Sequence, residues 1–172
     1  MRRWIKPVII GLLGLFTVLM GFSLLLPDHV MTSKWVRTGA SRDSVIARVG
    51  DLHSWPSWNL LLRDAVDISI SDSTLSWTSA RGTYNRIRID TVNEKGVSTS
   101  ITLNGSRPFI SGFAIEQRNP SEDSVQVVWY IIEELKWYPW EKFYGMMAAD
   151  MKGPLMEASL RNLSSQFAGR RE

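Results

Sequence analysis

WYPWEKFYGMMAADMKGPLMEASLRNLSSQF, residues 137–167, holds enough helix formers for about seven helical turns, and Pro139 near its start suits a segment still entering a helix. Phe143, Met147, Met151 and Leu155 follow one another at i, i+4 spacing and predict an apolar stripe. Beyond Gly153-Pro154 the apolar positions become Met156, Leu160, Leu163 and Phe167, about 120° further round at about 100° per residue. Pro154 lacks an N–H and crowds the carbonyl of Asp150, so a kink that brings the second stripe back onto the surface of the first is expected. A long, bent, Met-rich amphipathic helix that closes a chain of strands is expected to lie against a curved sheet.

The strands precede it. Val30–Thr38 is β-branched and contains Trp35, which reads as a first strand. Ser41 suits the N-cap of a short helix bearing Val45, Ile46 and Val49 and ending at Gly50. Trp55 and Trp58 flank Pro56 in a second short helix or tight turn with both rings inward. From Val66 the pattern has period two: Val66/Ile68/Ile70, Leu75/Trp77, Ile87/Ile89, Val97/Thr99/Ile101/Leu103 and Phe109/Ser111/Phe113/Ile115, then the apolar run Val125–Leu135. The joins Ser71–Thr74, Ala80–Gly82, Asn93–Gly96, Asn104-Gly105 and Asn119–Ser124 are turns, so six successive strands form antiparallel hairpins with one polar face. The other face needs cover, and the C-terminal helix is the only element large enough. The expected fold is α+β: a curled seven-stranded antiparallel sheet around a long C-terminal helix.

From Pro7 to Leu26, PVIIGLLGLFTVLMGFSLLL carries no charge and is long enough as a helix to cross a hydrocarbon core of about 30 Å. Arg2, Arg3 and Lys6 precede it and no Lys or Arg follows before Lys34, so the positive-inside bias puts the N-terminus in the cytoplasm and the rest outside. A cleaved signal peptide is the rival, but the apolar region exceeds the usual 7–15 residues and lacks a small-residue cleavage site. The expected divisions are a basic stub 1–6, a transmembrane helix 7–26, a linker 27–29, a domain 30–168 and a tail 169–172. All 17 acidic residues and an equal number of the 20 Lys and Arg lie beyond Pro27. The exported part is therefore neutral, which argues against nucleic acid as a partner.

Three stretches carry a family likeness: Asp51-x-x-x-Trp55-x-x-Trp58, Val127-x-Trp129, and Gly153-Pro154-x-x-Glu157-x-x-Leu160-x-Asn162-Leu163. Their order and spacing resemble the START-like helix-grip superfamily (SRPBCC), in its polyketide cyclase/dehydrase group, over Val30–Phe167. The resemblance implies an apolar cavity between sheet and helix, in a family that ranges from lipid or steroid carriers to cyclases and hydrolases.

With no cysteine and two histidines, His29 and His53, most nucleophile and metal schemes fail on stock alone, and no phosphate-binding glycine loop is present. We expect no catalytic residue, metal or cofactor. Asn104-Gly-Ser106 matches a glycosylation sequon but reads better as a hairpin end. Glu133 shares the strand face of Trp129 and would reach the cavity mouth if the strand runs that far; a strand ending near Ile132 would leave Glu133 and Glu134 in solvent. Trp55, Trp58, Trp77, Phe113, Trp129, Phe143, Met147 and Met151 are the candidate cavity lining, with Thr99 and Ser111 as polar contacts. Eight tryptophans could equally fill the space. The expectation is a membrane-anchored domain that binds a hydrophobic or lipid-like small molecule. The rivals are a cyclase/dehydrase-type enzyme and an envelope interaction module whose protein partner the sequence does not identify.

Overall fold

Seven strands form one antiparallel sheet in the order β1-β7-β6-β5-β4-β3-β2. They are β1 (His29–Thr38), β2 (Ala65–Ser71), β3 (Thr74–Ser79), β4 (Tyr84–Asn93), β5 (Gly96–Leu103), β6 (Phe109–Glu116) and β7 (Val125–Glu134). The other elements among the described residues are three helices, α1 (Ile5–Leu25), α2 (Arg42–Gly50) and α3 (Pro139–Ala168), and two 3₁₀ turns, Leu52–Ser57 and Leu60–Leu62. This computed structural model describes residues 5–117 and 124–168. The Arg2-Arg3 stub, most of the Asn119–Ser124 turn and the tail from 169 lie outside the described residues.

Local chemistry accounts for the short elements. Ser41 caps α2 by accepting from the Ser44 N–H at 3.3 Å. Asp51 accepts from His53 N–H, and Asn59 from Leu61 N–H, each at 3.0 Å, to start the two 3₁₀ turns. Asn93 Oδ1 accepts from Lys95 and Gly96 and closes the β4–β5 hairpin. In β2 the sequence pattern misleads: Val66 and Ile68 are exposed, because this edge strand shifts register between Val66 and Ser69 and Asp67 adopts φ 52°.

The first and last strands are neighbours, with His29 opposite Glu134 and Thr38 opposite Val125. That pairing brings the end of α1 beside the start of α3. Leu135 N–H donates to the Asp28 carbonyl at 2.7 Å, the buried Lys142 ammonium donates to the Pro27 carbonyl at 2.7 Å, and Ser23 Oγ donates to the Trp137 carbonyl. α1 itself is long and apolar enough to cross a bilayer, and nearly all its side chains face outward.

α3 packs mainly along β1, and its buried face differs from the expected stripe. Lys142, Gly145, Ala148, Gly153, Met156, Ser159, Leu160 and Leu163 are buried, within an arc of roughly 140° at about 100° per residue. Phe143, Met147 and Met151 stay exposed, so no rotation at Pro154 is needed to align two stripes. Close approach explains the reversal. A Cβ on Gly145 would collide with the Leu135 side chain, and one on Gly153 would stand 2.9 Å from Lys34 Cε. Small residues let the first half of α3 meet the β1–β7 edge at short range, which turns the large residues away from it.

Candidate functional site

The half of the interior remote from α1 is filled with rings. Trp55, in the first 3₁₀ turn, and Trp58, which caps it, meet Phe113 edge-on at 5.7 Å, and Phe113 stacks on Trp129 at 5.2 Å. All four are essentially fully buried. Their polar edges are satisfied inside the protein: Trp55 Nε1 donates to the Val49 carbonyl (2.9 Å), Trp58 Nε1 to Ser54 Oγ (3.3 Å) and Trp129 Nε1 to Ser111 Oγ (2.9 Å). Thr99 Oγ1 donates to the Ser111 carbonyl at 3.1 Å. Thr99 and Ser111 are therefore taken up by core hydrogen bonds, and the four rings pack on one another where a cavity wall was expected. Large side chains directed inward from a sheet and a turn meet in the middle, where a close-packed interior leaves little void.

Open space lies at the other end of the sheet, where β3, β4, β5, β6 and β7 start or finish on the side of α1. A cleft of about 550 Å³ is lined by Leu60, Leu61, Trp77, Leu103, Pro154, Leu155 and Ala158, with Arg63, Asp64, Ser79, Thr83, Asn85 and Asn104 at its polar margin. Ser159 fixes its wall by accepting from Leu60 N–H at 3.0 Å while donating to the Leu155 carbonyl at 2.8 Å. Asn85 is buried and spent, donating to the Thr83 carbonyl and accepting from Asn104 N–H. A second cleft of about 430 Å³ is lined by Leu103, Arg107, Pro108, Phe109, Glu133, Tyr144 and Lys152, among others. Leu103 belongs to both linings, so the two clefts adjoin, the smaller against Glu141, Tyr144 and Lys152 of α3 and the larger against Pro154, Leu155 and Ala158.

Glu133 marks the second cleft. β7 runs on to Glu134, so the side-chain alternation that buries Val127, Trp129 and Ile131 also turns Glu133 inward. It forms an ion pair with Lys152 of α3, and only 16% and 21% of the two side chains is exposed. The Lys152 ammonium also lies 5.1 Å from the Phe109 ring centre and 5.8 Å from that of Tyr144. At the rim, hydrogen bonding to Tyr138 raises the pKa of Lys136 above the usual lysine value.

No family model and no curated protein matches the chain. Solved structures do. A START superfamily protein from Mycobacterium smegmatis superposes with a TM-score of 0.60 at 19% identity, covering 81% of this chain and 97% of that one. Norcoclaurine synthase from Thalictrum flavum, solved in complex with dopamine and hydroxybenzaldehyde, gives 0.61 at 12% identity over 84% and 89%. The protein XoxI from Bacillus cereus gives 0.59 at 13% identity over 83% and 99%.

The fold is the START-like helix grip.

Within this helix grip the candidate residues separate. Trp77 lines the larger cleft. Trp55, Trp58, Phe113 and Trp129 form the packed core, with Thr99 and Ser111 beside them. Phe143, Met147 and Met151 are exposed on α3. Tyr144, Leu155 and Ala158 line the clefts, and at about 100° per residue Met147 and Met151 fall on that same side of α3, so these thioethers flank the groove without reaching the core. Leu60, Tyr144 and Lys152 were not singled out by period or motif, and Leu103, Phe109 and Leu155, though placed on strands or helix by their period, were not named as cavity lining. For Lys152 no local signal exists, because its partner stands on the last strand. The helix grip is thus open at one end, with one cleft walled mainly by apolar side chains and the other carrying a part-buried ion pair.

Proposed function

We propose that this chain is a single-pass, membrane-anchored helix-grip domain that takes a hydrophobic or amphipathic, lipid-like small molecule into the groove beside the middle of α3. The observation that carries the reading is the 550 Å³ cleft walled mainly by apolar side chains, a size within the roughly 300–1,000 Å³ of small-molecule sites. In this reading α1 stays uncleaved as the anchor, the N-terminus is cytoplasmic because Arg2, Arg3 and Lys6 precede the span, and the domain is exported. A tether of a few residues after Leu25 keeps the groove close to the lipid surface and raises its effective concentration there. Native mass spectrometry and solvent extraction of the full chain from detergent should reveal a co-purifying amphiphile. Leu103→Trp, which fills the point shared by the two clefts, should remove it. Absence of any amphiphile from the parent chain, or equal retention in Leu103→Trp, would overturn the proposal.

One observation favours a second reading, an enzyme of the polyketide cyclase/dehydrase kind. Glu133 and Lys152 form an ionisable pair inside a cleft, where a carboxylate can serve as a general base to a bound substrate. In this reading Glu133 takes or gives a proton on a bound hydrophobic substrate and Lys152 stabilises the carboxylate. Turnover of a candidate substrate that survives Glu133→Gln undiminished would dispose of it.

A further inference from the structure

Exposed apolar side chains such as Trp35, Tyr84 and Val92 are scattered over the domain, but one group is clustered. Trp137, Trp140, Phe143, Met146, Met147 and Met151 all lie in the first half of α3 or just before it, and all are exposed. An apolar cluster of this extent marks an interaction surface. Its position says what covers it. The hydrogen bonds from Ser23 to the Trp137 carbonyl and from Lys142 to the Pro27 carbonyl tie this part of α3 to the last turn of α1 and the residues that follow it. Leu24 and Leu25, on that last turn, are themselves largely exposed. On the outer face of the sheet, at the same end, Met31 and Ile110 flank Ile132 in one cross-strand row. The chemistry fits a bilayer surface as well. Trp and Tyr favour the membrane–water interface, and Lys136, held above its usual pKa by Tyr138, sits among them with Arg107 nearby, as cations do against lipid phosphates.

We infer that the start of α3, from Trp137 to about Met147, rests in the interfacial layer of the bilayer that α1 spans, so that the groove opens beside lipid. This inference depends on the anchoring part of the function proposed above. It does not depend on the groove being occupied. Both clefts lie at the α1 end of the sheet, with the ring-filled core at the other, so docking by this face would let an amphiphile pass between bilayer and groove without crossing bulk water.

The chain has no cysteine, so single cysteines can carry an environment-sensitive fluorophore. The full chain, reconstituted into phosphatidylethanolamine–phosphatidylglycerol liposomes, would be labelled at Trp140→Cys, Met147→Cys, Val18→Cys within α1 and Glu94→Cys in the remote β4–β5 turn. The α3 labels should be blue-shifted, quenched by a nitroxide-bearing lipid and insensitive to aqueous iodide, as the α1 label is, whereas the Glu94 position shows the reverse. Iodide quenching at Trp140 and Met147 equal to that at Glu94, with Val18 still shielded, overturns the docking inference alone. Iodide access at Val18 as well removes the anchor and the inference together. Shielded α3 labels on a chain that retains no amphiphile support docking and count against the ligand-binding reading.

Discussion

Lys152→Met should destabilise the protein more than Glu133→Gln, and the two losses should not add. At an effective dielectric constant of 20, unit charges about 4 Å apart attract by about 4 kcal/mol, against about 1 kcal/mol in bulk water. Both side chains are about four-fifths buried, so the attraction lies nearer the first figure, but the cost of desolvating them offsets much of it. A net coupling of about 1–2 kcal/mol is expected. Lys152→Met leaves Glu133 Oε2, which has no other hydrogen-bond partner among the described residues, as an uncompensated part-buried anion, at a cost of about 2–3 kcal/mol. Glu133→Gln removes the carboxylate but leaves Lys152 its two ring contacts, each worth about 0.5–1 kcal/mol, so its loss should be nearer 1 kcal/mol. Urea unfolding of the full chain in detergent, followed by the fluorescence of its eight tryptophans, measures all four corners of the cycle. Costs that add to within about 0.5 kcal/mol, or a larger loss for Glu133→Gln, would refute a closely coupled pair in a sheltered cleft.

Gly145→Val should lower stability by about 1–3 kcal/mol, because its side chain collides with Leu135, and Leu135→Ala should restore part of the loss in thermal melts of the double variant. Trp129→Phe keeps the stack on Phe113 but loses the bond to Ser111. About 1 kcal/mol should go in urea unfolding, with amphiphile retention unchanged, since this ring belongs to the core and not to the groove. Glu157 has a pKa below the usual value because Lys34 hydrogen-bonds to it and adds its charge. A depressed folded-state pKa stabilises above the unfolded carboxylate value of about 4.3 and is lost as pH falls through the folded one. Lys34→Met should therefore widen the stability gap from the parent above that pH and narrow it below, as urea midpoints between neutral and acid pH would show.

Much of this protein is legible in the chain itself. The period-two runs from Val66 to Leu135, the Ser41 cap, the Asn93–Gly96 turn and the uncharged Pro7–Leu26 stretch depend on a few neighbouring residues at a time, so the element order and the α+β class follow without knowing what touches what. The face that α3 buries does not. Phe143, Met147 and Met151 make the more hydrophobic stripe, yet the β1–β7 edge approaches so closely that Gly145, Ala148 and Gly153 must face it, and backbone proximity is set by strands more than a hundred residues away in the case of β1. The same holds for the site. The inward phase of Glu133 can be read from Trp129, but its pairing with Lys152, the spending of Ser111 and Thr99 inside the core, and the placing of open space at the α1 end all arise from contacts between distant segments. Local pattern determines which segments become strand or helix. Which side chains meet, and where room is left between them, is decided only when those segments pack.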